Sequence, residues 1–286
     1  MDNFYKEIKQ RLNYFLENPI FYPKLIIKKI RGKLSTMPNV PVIKKIKDIN
    51  FIFPFFDFEP RMPDLYLGVH QINVIRVLHK YIKKGDTFID VGANIGYLSA
   101  IGANLVGKEG EVHGFEPVPL YFKLLSKMAK LNEKYKIFVN NYALGEKVGS
   151  AIINIPNIHN IGYNSMVPGL IELNKIKEAL KVKVIRLDDY IFRNKIEDIS
   201  FIKIDVEGFE YPVLKGLTKF FDNEMITPPH ILVEVTPSAY PLLGLKLNQL
   251  ERLLSKYSYK AYTIYKERPI DIKNLTSRKD ILFKQA

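Results

Sequence analysis

The chain has 286 residues, of which 47% are hydrophobic and 26% charged, a composition typical of a folded globular protein rather than a disordered or fibrous one. It contains no cysteine, which excludes disulfides, thiolate metal ligands and a cysteine nucleophile. With 43 Lys and Arg against 30 Asp and Glu, the net charge of +13 favours an anionic partner such as nucleic acid, anionic lipid or acidic glycan.

The first 60 residues are basic and aromatic, and we expect a helical extension there, followed by a second domain over residues 61–286. Between residues 20 and 47 lie eight basic residues and no acidic one, and apolar residues from Leu25 to Leu34 interleave with them. Such a basic amphipathic helix can lie on an anionic membrane surface. Alternatively, its apolar face packs on the second domain or on another subunit of a homo-oligomer.

No stretch approaches the roughly 18 consecutive apolar residues that cross a bilayer. The first seven residues also lack the basic and then apolar layout of a signal peptide. The expected location is therefore cytoplasmic, with contact at a membrane surface through residues 20–47 as an addition.

From residue 61 onward, short β-branched runs alternate with helical periodicity. Strands are predicted at Thr87–Val91, Glu111–Phe115, Ile137–Asn141, Ser150–Ile155, Lys181–Ile185, Phe201–Ile204, Ile231–Val235, Tyr259–Ile264 and Ile281–Phe283. Helices are predicted at Ile72–Ile82, Leu98–Leu105, Leu120–Leu131, Tyr211–Phe220 and Leu247–Tyr257. This alternation predicts an α/β fold with a parallel sheet covered on both faces.

A glycine-rich turn, Val91-Gly92-Ala93-Asn94-Ile95-Gly96, joins the first predicted strand to a helix. Glycines let the backbone bend sharply and approach a ligand, and the helix start offers free N–H groups. The turn differs from the dinucleotide fingerprint because Asn94 replaces its middle glycine and Asp90 lies at the strand end. A carboxylate there would repel a pyrophosphate but suits S-adenosylmethionine, which carries an ammonium and a sulfonium and no phosphate.

Two further strand ends agree with this cofactor. Glu116 follows the second strand, where an acid can accept hydrogen bonds from both hydroxyls of a ribose. The stretch from Asn140 to Gly145 follows the third strand and is placed to meet the adenine.

Carboxylates also follow the strand that begins at Phe201. Asp205 and Glu207 lie at its carboxyl end, the edge at which ligands bind in open α/β sheets. Glu210 is explained by the favourable dipole of a helix N-terminus. Glu234 ends the next strand, so it should open on the same edge as Asp205.

Six sequence blocks resemble the FkbM family of S-adenosylmethionine-dependent methyltransferases, in the family's order and spacing. Between about Leu67 and Val235 they read FIDVGANIGYLS, GFEP, NNYALG, RLDDY, FIKIDVEGFEYPVLKG and ILVEV. The resemblance implies a class I, Rossmann-like methyltransferase fold: a seven-stranded, mostly parallel sheet with helices on both faces and one antiparallel strand at its C-terminal end. It also implies O-methylation, commonly of sugar hydroxyls in glycans and secondary metabolites.

The resemblance assigns roles by position. The implied cofactor residues are Asp90, Gly92, Asn94 and Gly96 for the methionine part, Glu116 for the ribose, Asn141 and Ala143 beside the adenine, and Asp205 at the methyl-transfer centre. One segment departs from the family: members often carry a glutamate a few residues after the position of Gly68, where this chain has Val69-His70-Gln71.

An alcohol acceptor must lose its proton as its oxygen attacks the methyl group. One way is a catalytic base, for which Asp205, Glu207 and the loop residue His159 are candidates. The other is a divalent cation, Mg²⁺ or Mn²⁺, bound by oxygen ligands such as Asp205, Glu207 and Glu234. Both ways stay open at this point.

The expected function is O-methyl transfer to a hydroxyl of a sugar, a glycan or another small molecule such as a glycosylated metabolite. Nucleic-acid (RNA) methylation is the alternative that the charge suggests. However, amino-directed enzymes of that class carry an Asn/Asp-Pro-Pro-aromatic loop where this chain has Asp205-Val206-Glu207-Gly208. A non-catalytic membrane- or glycan-associated scaffold would have no need of the three aligned acids Asp90, Glu116 and Asp205.

Overall fold

The computed structural model describes residues 42–53, 65, 70–157, 162–223 and 227–285. Its elements in chain order are β1 (Val42–Ile46), β2 (Ile49–Phe53), α1 (Ile72–Tyr81), β3 (Thr87–Val91), α2 (Tyr97–Val106), β4 (Glu111–Phe115), α3 (Pro119–Lys130), β5 (Lys136–Asn140), β6 (Ala143–Leu144), β7 (Gly149–Pro156), β8 (Ile176–Ile185), α4 (Leu187–Arg193), β9 (Ile199–Ile204), α5 (Glu210–Lys215), α6 (Thr218–Phe221), β10 (His230–Val235), α7 (Ala239–Leu242), α8 (Leu247–Ser255), β11 (Tyr259–Thr263) and β12 (Lys279–Gln285).

A seven-stranded sheet forms the centre of the fold, in the order β11-β12-β10-β9-β3-β4-β5. The neighbours β10, β9, β3, β4 and β5 pair in parallel, whereas β12 runs antiparallel to both β10 and β11. This is the class I methyltransferase arrangement, and the predicted fold class is confirmed. The carboxyl ends of the parallel strands, together with the start of β12, lie at one edge of the sheet.

Helices cover both faces of the sheet because its central strands are apolar on both sides. In β3, Phe88 and Ile89 are fully buried and point to opposite faces, since successive strand residues alternate. Phe88 packs in a core with α1, α2 and α3, and Ile89 packs in a second core with α4, α5 and α8. Burial on both faces explains why neighbouring residues of this strand, such as Phe88 and Ile89, are both apolar.

Three predicted elements differ from the observed ones. The predicted strands at 150–155 and 181–185 belong to a separate three-stranded sheet, β6-β8-β7, rather than to the central one. In β8, Lys181 and Lys183 are exposed while Val182 and Val184 are buried, so this strand is covered on one face only. The predicted helix 211–220 is divided into α5 and α6, and α4 had not been predicted.

Residues 42–53 form an antiparallel β-hairpin, which corrects the helical expectation for this part of the first 60 residues. Ile49 and Phe51 are fully buried in the core that contains α2 and α3. The Asn132 side chain accepts a hydrogen bond from the Asn50 amide and donates one to its carbonyl, both at 2.8 Å. The hairpin therefore shares a core with the domain predicted to begin at residue 61, although that boundary stays a prediction.

The predicted basic helix around Leu25 to Leu34 lies outside the described residues. Within the described ranges, no helix has both the length and the apolar character needed to cross a membrane.

Candidate active site

The turn after β3 requires glycine at its first position. Gly92 has a φ of 76°, and a Cβ there would lie 1.8 Å from the Asp205 carbonyl oxygen. The N–H groups of Gly92 and Ala93 donate to the Phe115 carbonyl at 3.0 and 2.9 Å. The turn is thus held between the ends of β4 and β9 and forms part of the wall of a cleft.

Glu116, directly after β4, is buried at the wall of the same cleft. Its two carboxylate oxygens accept hydrogen bonds from the backbone N–H groups of Asn94 and Val118, each at 2.8 Å. Burial raises the pKa of Glu116 to about 7, although both N–H groups oppose this shift. Each oxygen still has a free lone pair, so the carboxylate fits the two hydroxyls of a ribose.

Lys203 is buried at the wall of the cleft and joins two of the predicted acids. Its Nζ lies 3.5 Å from Asp90 Oδ1 and 3.2 Å from Asp205 Oδ2, and it donates to the Gly92 carbonyl at 3.3 Å. Burial alone would lower the pKa of Lys203, but the charges of Asp205 and Asp90 outweigh burial and raise it. Lys203 therefore stays a cation, and the sequence analysis had not given it a role.

Asp90 is fully buried and is separated from the cleft wall. Its Oδ2 accepts a hydrogen bond from Ser99 Oγ at 2.6 Å, and its Oδ1 faces Lys203. Asp90 shares the Lys203 cation with Asp205 but does not line the cleft, so the structure supports attraction of a cationic cofactor less by this residue than by Asp205. Its contact with the methionine part stays a prediction.

The carboxylates of Asp205, Glu207 and Glu234 come together, as predicted from their strand ends. One oxygen of each lies within 4.8 Å of the others, and all three residues line the cleft. Burial opposes ionisation of Asp205, but the Lys203 charge lowers its pKa. Burial and the charge of Asp205 raise the pKa of Glu234. The two shifts are opposite in direction, so Asp205 is the acid of this pair that ionises more readily.

Arg278 completes this cluster, and the sequence analysis had missed it. Both terminal nitrogens of its guanidinium contact the Glu207 carboxylate, one of them at 3.0 Å, and Nη1 lies 3.3 Å from Glu234 Oε2. The guanidinium also lies 4.9 Å from the centre of the Tyr163 ring. A signal was available: β12 runs against its neighbours, so the residue before it lies at the edge where β10 ends.

Of the remaining predicted cofactor residues, two line the cleft and Asn141 does not. Ala143 and Asn94 line it, as does Tyr142, which had not been predicted. The Asn141 amide instead donates to the carbonyls of Glu116 and Pro117 at 2.8 and 3.1 Å. Its place beside the adenine stays a prediction.

Gly96 serves packing between helices rather than the cleft wall. It has a φ of 88°, and a Cβ there would lie 2.7 Å from Leu125 Cδ1 on α3. This glycine lets α2 approach α3 closely, which explains its presence without a ligand.

The cleft is also lined by two residues that precede α1. Gln71 Nε2 donates to Asp205 Oδ2 at 3.4 Å, and His70 lies edge-on to Tyr97 at 6.1 Å. His70 and Gln71 thus line the cleft at the segment that departs from the family pattern. His159, the predicted loop base, lies outside the described residues.

The polar groups of the cleft fit S-adenosylmethionine. Glu116 offers two carboxylate oxygens to a ribose, Tyr142 and Ala143 line the same cleft, and the ionised Asp205 lies where β9 ends. Asp90 and Asp205 share the Lys203 cation, but only Asp205 of the two lines the cleft, so Asp205 is the one placed to face the sulfonium.

The family described as "Methyltransferase FkbM domain" matches residues 90–261, more than half of the chain. The hexuronic acid methyltransferase AglP of Haloferax volcanii is 25% identical over 169 residues, which cover 59% of this chain and 64% of that protein. The 31-O-demethyl-FK506 methyltransferase FkbM of Streptomyces tacrolimicus is 28% identical over 160 residues, covering 48% and 61%. A ribosomal protein L11 methyltransferase of Bacillus licheniformis is 35% identical over 94 residues, covering 32% and 30%. The chain thus spans between 30% and 64% of the length of these relatives.

Among solved structures, the methyltransferase FkbM from Methylobacillus flagellatus aligns with a TM-score of 0.44 at 15% identity, over 79% of this chain and 54% of that one. Aeropyrum pernix fibrillarin, crystallised with S-adenosyl-L-methionine, aligns with a TM-score of 0.41 at 12% identity, over 73% and 72%. Both likenesses are remote.

Proposed function

This chain belongs to the methyltransferase FkbM domain family, and from that premise we propose that it transfers a methyl group from S-adenosylmethionine to a hydroxyl of a sugar, a glycan or a glycosylated metabolite. The family resemblance in six sequence blocks is confirmed by the match over residues 90–261. The observation that carries the proposal is a cleft in which Glu116, Asp205 and Glu234 lie at the carboxyl ends of three strands of one sheet.

The names of two relatives support an oxygen acceptor. One is named for a hexuronic acid, which is a sugar acid, and the other for a 31-O position. The acid cluster at the end of β9 agrees with such an acceptor, because carboxylates accept hydrogen bonds from hydroxyls and can take their protons.

The cofactor, when bound, supplies a methyl group already activated by the sulfonium, so the protein mainly has to position the acceptor and exclude water. The acceptor oxygen forms the new bond to the methyl carbon as the carbon–sulfur bond breaks, and S-adenosylhomocysteine leaves. Asp205, kept ionised by Lys203, accepts the hydrogen bond of the attacking hydroxyl. A carboxylate of lowered pKa is a weak base, so Asp205 takes the proton only as the new bond forms.

The direct test is methyl transfer by the purified chain. We expect S-adenosylhomocysteine to bind in calorimetry, and labelled methyl groups to appear on hydroxyls of a panel of uronic acids and neutral glycosides. Asp205→Asn should lower the rate by about 10²–10⁴-fold, as expected for loss of a group that accepts a proton. Asp222→Asn, at an exposed ion pair with Lys256, is the matched control and should leave the rate unchanged.

Absence of cofactor binding would end the proposal. Binding followed by methylation of RNA, included in the same panel, would favour the nucleic-acid alternative instead.

A further inference from the structure

The guanidinium of Arg278 lies among carboxylates that could otherwise hold a cation. Two of the three acids in the cluster, Glu207 and Glu234, are in contact with it, and the third, Asp205, is in contact with Lys203. Mg²⁺ binds carboxylate oxygens at about 2.0–2.1 Å. A metal ion shared by these oxygens would therefore have to displace the guanidinium.

The surrounding groups hold Arg278 in this place. The Tyr163 ring lies against one face of the guanidinium, a favourable contact between a cation and an aromatic ring. The backbone of Glu207 is fixed as well, because the buried Ser165 hydroxyl donates to its carbonyl at 2.6 Å. The paired contact with Glu207 adds the directional specificity of an arginine–carboxylate pair.

The pairing of β12 also fixes the position of the Arg278 backbone relative to the cleft. In the antiparallel pair of β10 and β12, Val235 lies opposite Lys279, so the preceding residue emerges beside the end of β10. Arg278 lies beyond the end of the family match at residue 261. The cation is therefore supplied by the C-terminal strand and not by the matched domain.

We propose that the Arg278 guanidinium takes the place of a divalent cation in this cleft, positioning Glu207 and Glu234, so that methyl transfer needs no metal. An arginine is charged at every physiological pH and cannot be removed by a chelator, which makes it a permanent counterion for the acids. The activity part of this inference rests on the proposed function, whereas the part that concerns metal binding does not.

A consequence follows for the protein without Arg278. The oxygens of Asp205, Glu207 and Glu234 lie close enough together to share one ion, so removal of the guanidinium should open a metal site. Oxygen ligands of this kind suit Mn²⁺ as well as Mg²⁺. Mn²⁺ is therefore a suitable probe, because free and bound Mn²⁺ differ in their paramagnetic resonance signals.

The experiment measures Mn²⁺ binding to the full chain, without acceptor or cofactor. We expect Arg278→Ala to bind one Mn²⁺ at least tenfold more tightly than the unaltered chain, and the double variant Arg278→Ala with Glu207→Gln to lose that gain. Arg278→Lys keeps a cation and should bind no better than the unaltered chain. Lys279→Ala, at the exposed neighbouring residue, is the matched control and should change nothing.

Two results would overturn the inference. One is Mn²⁺ binding at these acids by the unaltered chain as tight as by Arg278→Ala; the other is no gain in either Arg278→Ala or Arg278→Gln. Arg278→Gln, which keeps length and hydrogen-bond donors, serves if the alanine variant does not fold, as judged by circular dichroism.

Methyl transfer provides the second readout. Treatment with EDTA should leave the rate of the unaltered chain unchanged, and a loss that Mn²⁺ restores would contradict a metal-free reaction. If no acceptor is methylated at all, the proposed function fails, while the comparison of Mn²⁺ binding still decides the role of Arg278.

Discussion

Lys203 is the residue on which the charge balance of the cleft depends. It is buried between Asp90 and Asp205, and its charge keeps Asp205 ionised. From the sequence, Lys203 was one polar residue within an apolar strand. Its partners lie on β3 and on the loop after β9, so its role follows from pairing between strands and not from local pattern.

Replacing Lys203 should therefore destabilise the fold. We expect Lys203→Met to lower the free energy of unfolding by about 3–5 kcal/mol, because it leaves buried carboxylates without their counterion. Asp90→Asn added to Lys203→Met should restore part of that loss, since it removes one of the unpaired charges. Urea denaturation of the four members of this cycle measures the coupling, and strictly additive effects would contradict the ion pair.

Glu116 should make cofactor affinity depend on pH. With a pKa of about 7, it is mostly ionised at pH 8 and protonated at pH 6. The ionised form accepts both ribose hydroxyls, so the affinity for S-adenosylhomocysteine should fall up to about tenfold from pH 8 to pH 6. Calorimetry at several pH values measures this fall.

The control for this pH effect is Glu116→Gln, a side chain of the same shape that does not titrate. It should bind more weakly than the unaltered chain at pH 8 and show little dependence on pH. An equally steep fall in both proteins would assign the titration to another group.

At the scale of elements, the hairpin β1–β2 is part of the catalytic domain's core. Phe51 is fully buried and lies edge-on to Tyr97, a residue of the cleft wall, with ring centres 5.8 Å apart. Phe51→Ala should lower the free energy of unfolding by about 3–5 kcal/mol and also weaken cofactor binding. Ile43→Ala, on the same hairpin but with 58% of the side chain exposed, should stay within about 0.5 kcal/mol. Chemical denaturation distinguishes the two, and equal small effects would show that the hairpin does not contribute to the core.

The glycine turn gives a second prediction at this scale. Gly92→Ala should destabilise the protein by more than about 3 kcal/mol, since overpacking typically costs about 1–3 kcal/mol and here the added carbon overlaps a backbone oxygen. Gly149→Ala is the matched control, because a Cβ at Gly149 meets nothing within 4 Å. Thermal unfolding of both variants tests the turn, and a stable Gly92→Ala protein would contradict the close approach to Asp205.

Strands that can be recognised from their own residues were predictable from the sequence. The sheet to which a strand belongs was not, because it depends on residues far away in the chain. The strands β3, β4, β9 and β10 are short and rich in β-branched or aromatic residues, and their observed bounds lie within about two residues of the predicted ones. β7 and β8 were recognised as strands, but nothing local assigns them to a second sheet. The hairpin escaped prediction because its lysines were counted with a basic helix, although the apolar Ile49 and Phe51 flank the polar Asn50 as in a strand.

The candidate site shows the same division. Glu116, Asp205 and Glu234 could be placed from the sequence because each lies at the carboxyl end of a parallel strand, and parallel strands end at a common edge. Arg278 depends on the antiparallel direction of β12, which the family resemblance implies but no local pattern around residue 278 reveals.

At the scale of the whole molecule, the net charge of +13 does not show which part of the chain an anionic membrane would attract. The hairpin belongs to the core, so a truncation that tests the N-terminal segment should begin at residue 42 rather than at residue 61. We expect the full chain to float with phosphatidylserine vesicles at low salt, and residues 42–286 to float less, because the basic residues between Lys24 and Lys33 are lost. If both proteins float equally, the attraction to the vesicles belongs to residues 42–286. If neither floats, the basic segment does not bind membranes, and packing on the domain or on another subunit is the role that stays open for it.

The direction of β12 also affects synthesis. This strand follows all other described strands in the chain, yet it lies between β10 and β11 and pairs with both. While the ribosome has not yet released residues 279–285, β10 and β11 expose unpaired backbone groups and apolar side chains, the features that promote aggregation. Nascent chains should therefore need chaperone protection until residues 279–285 have left the ribosome.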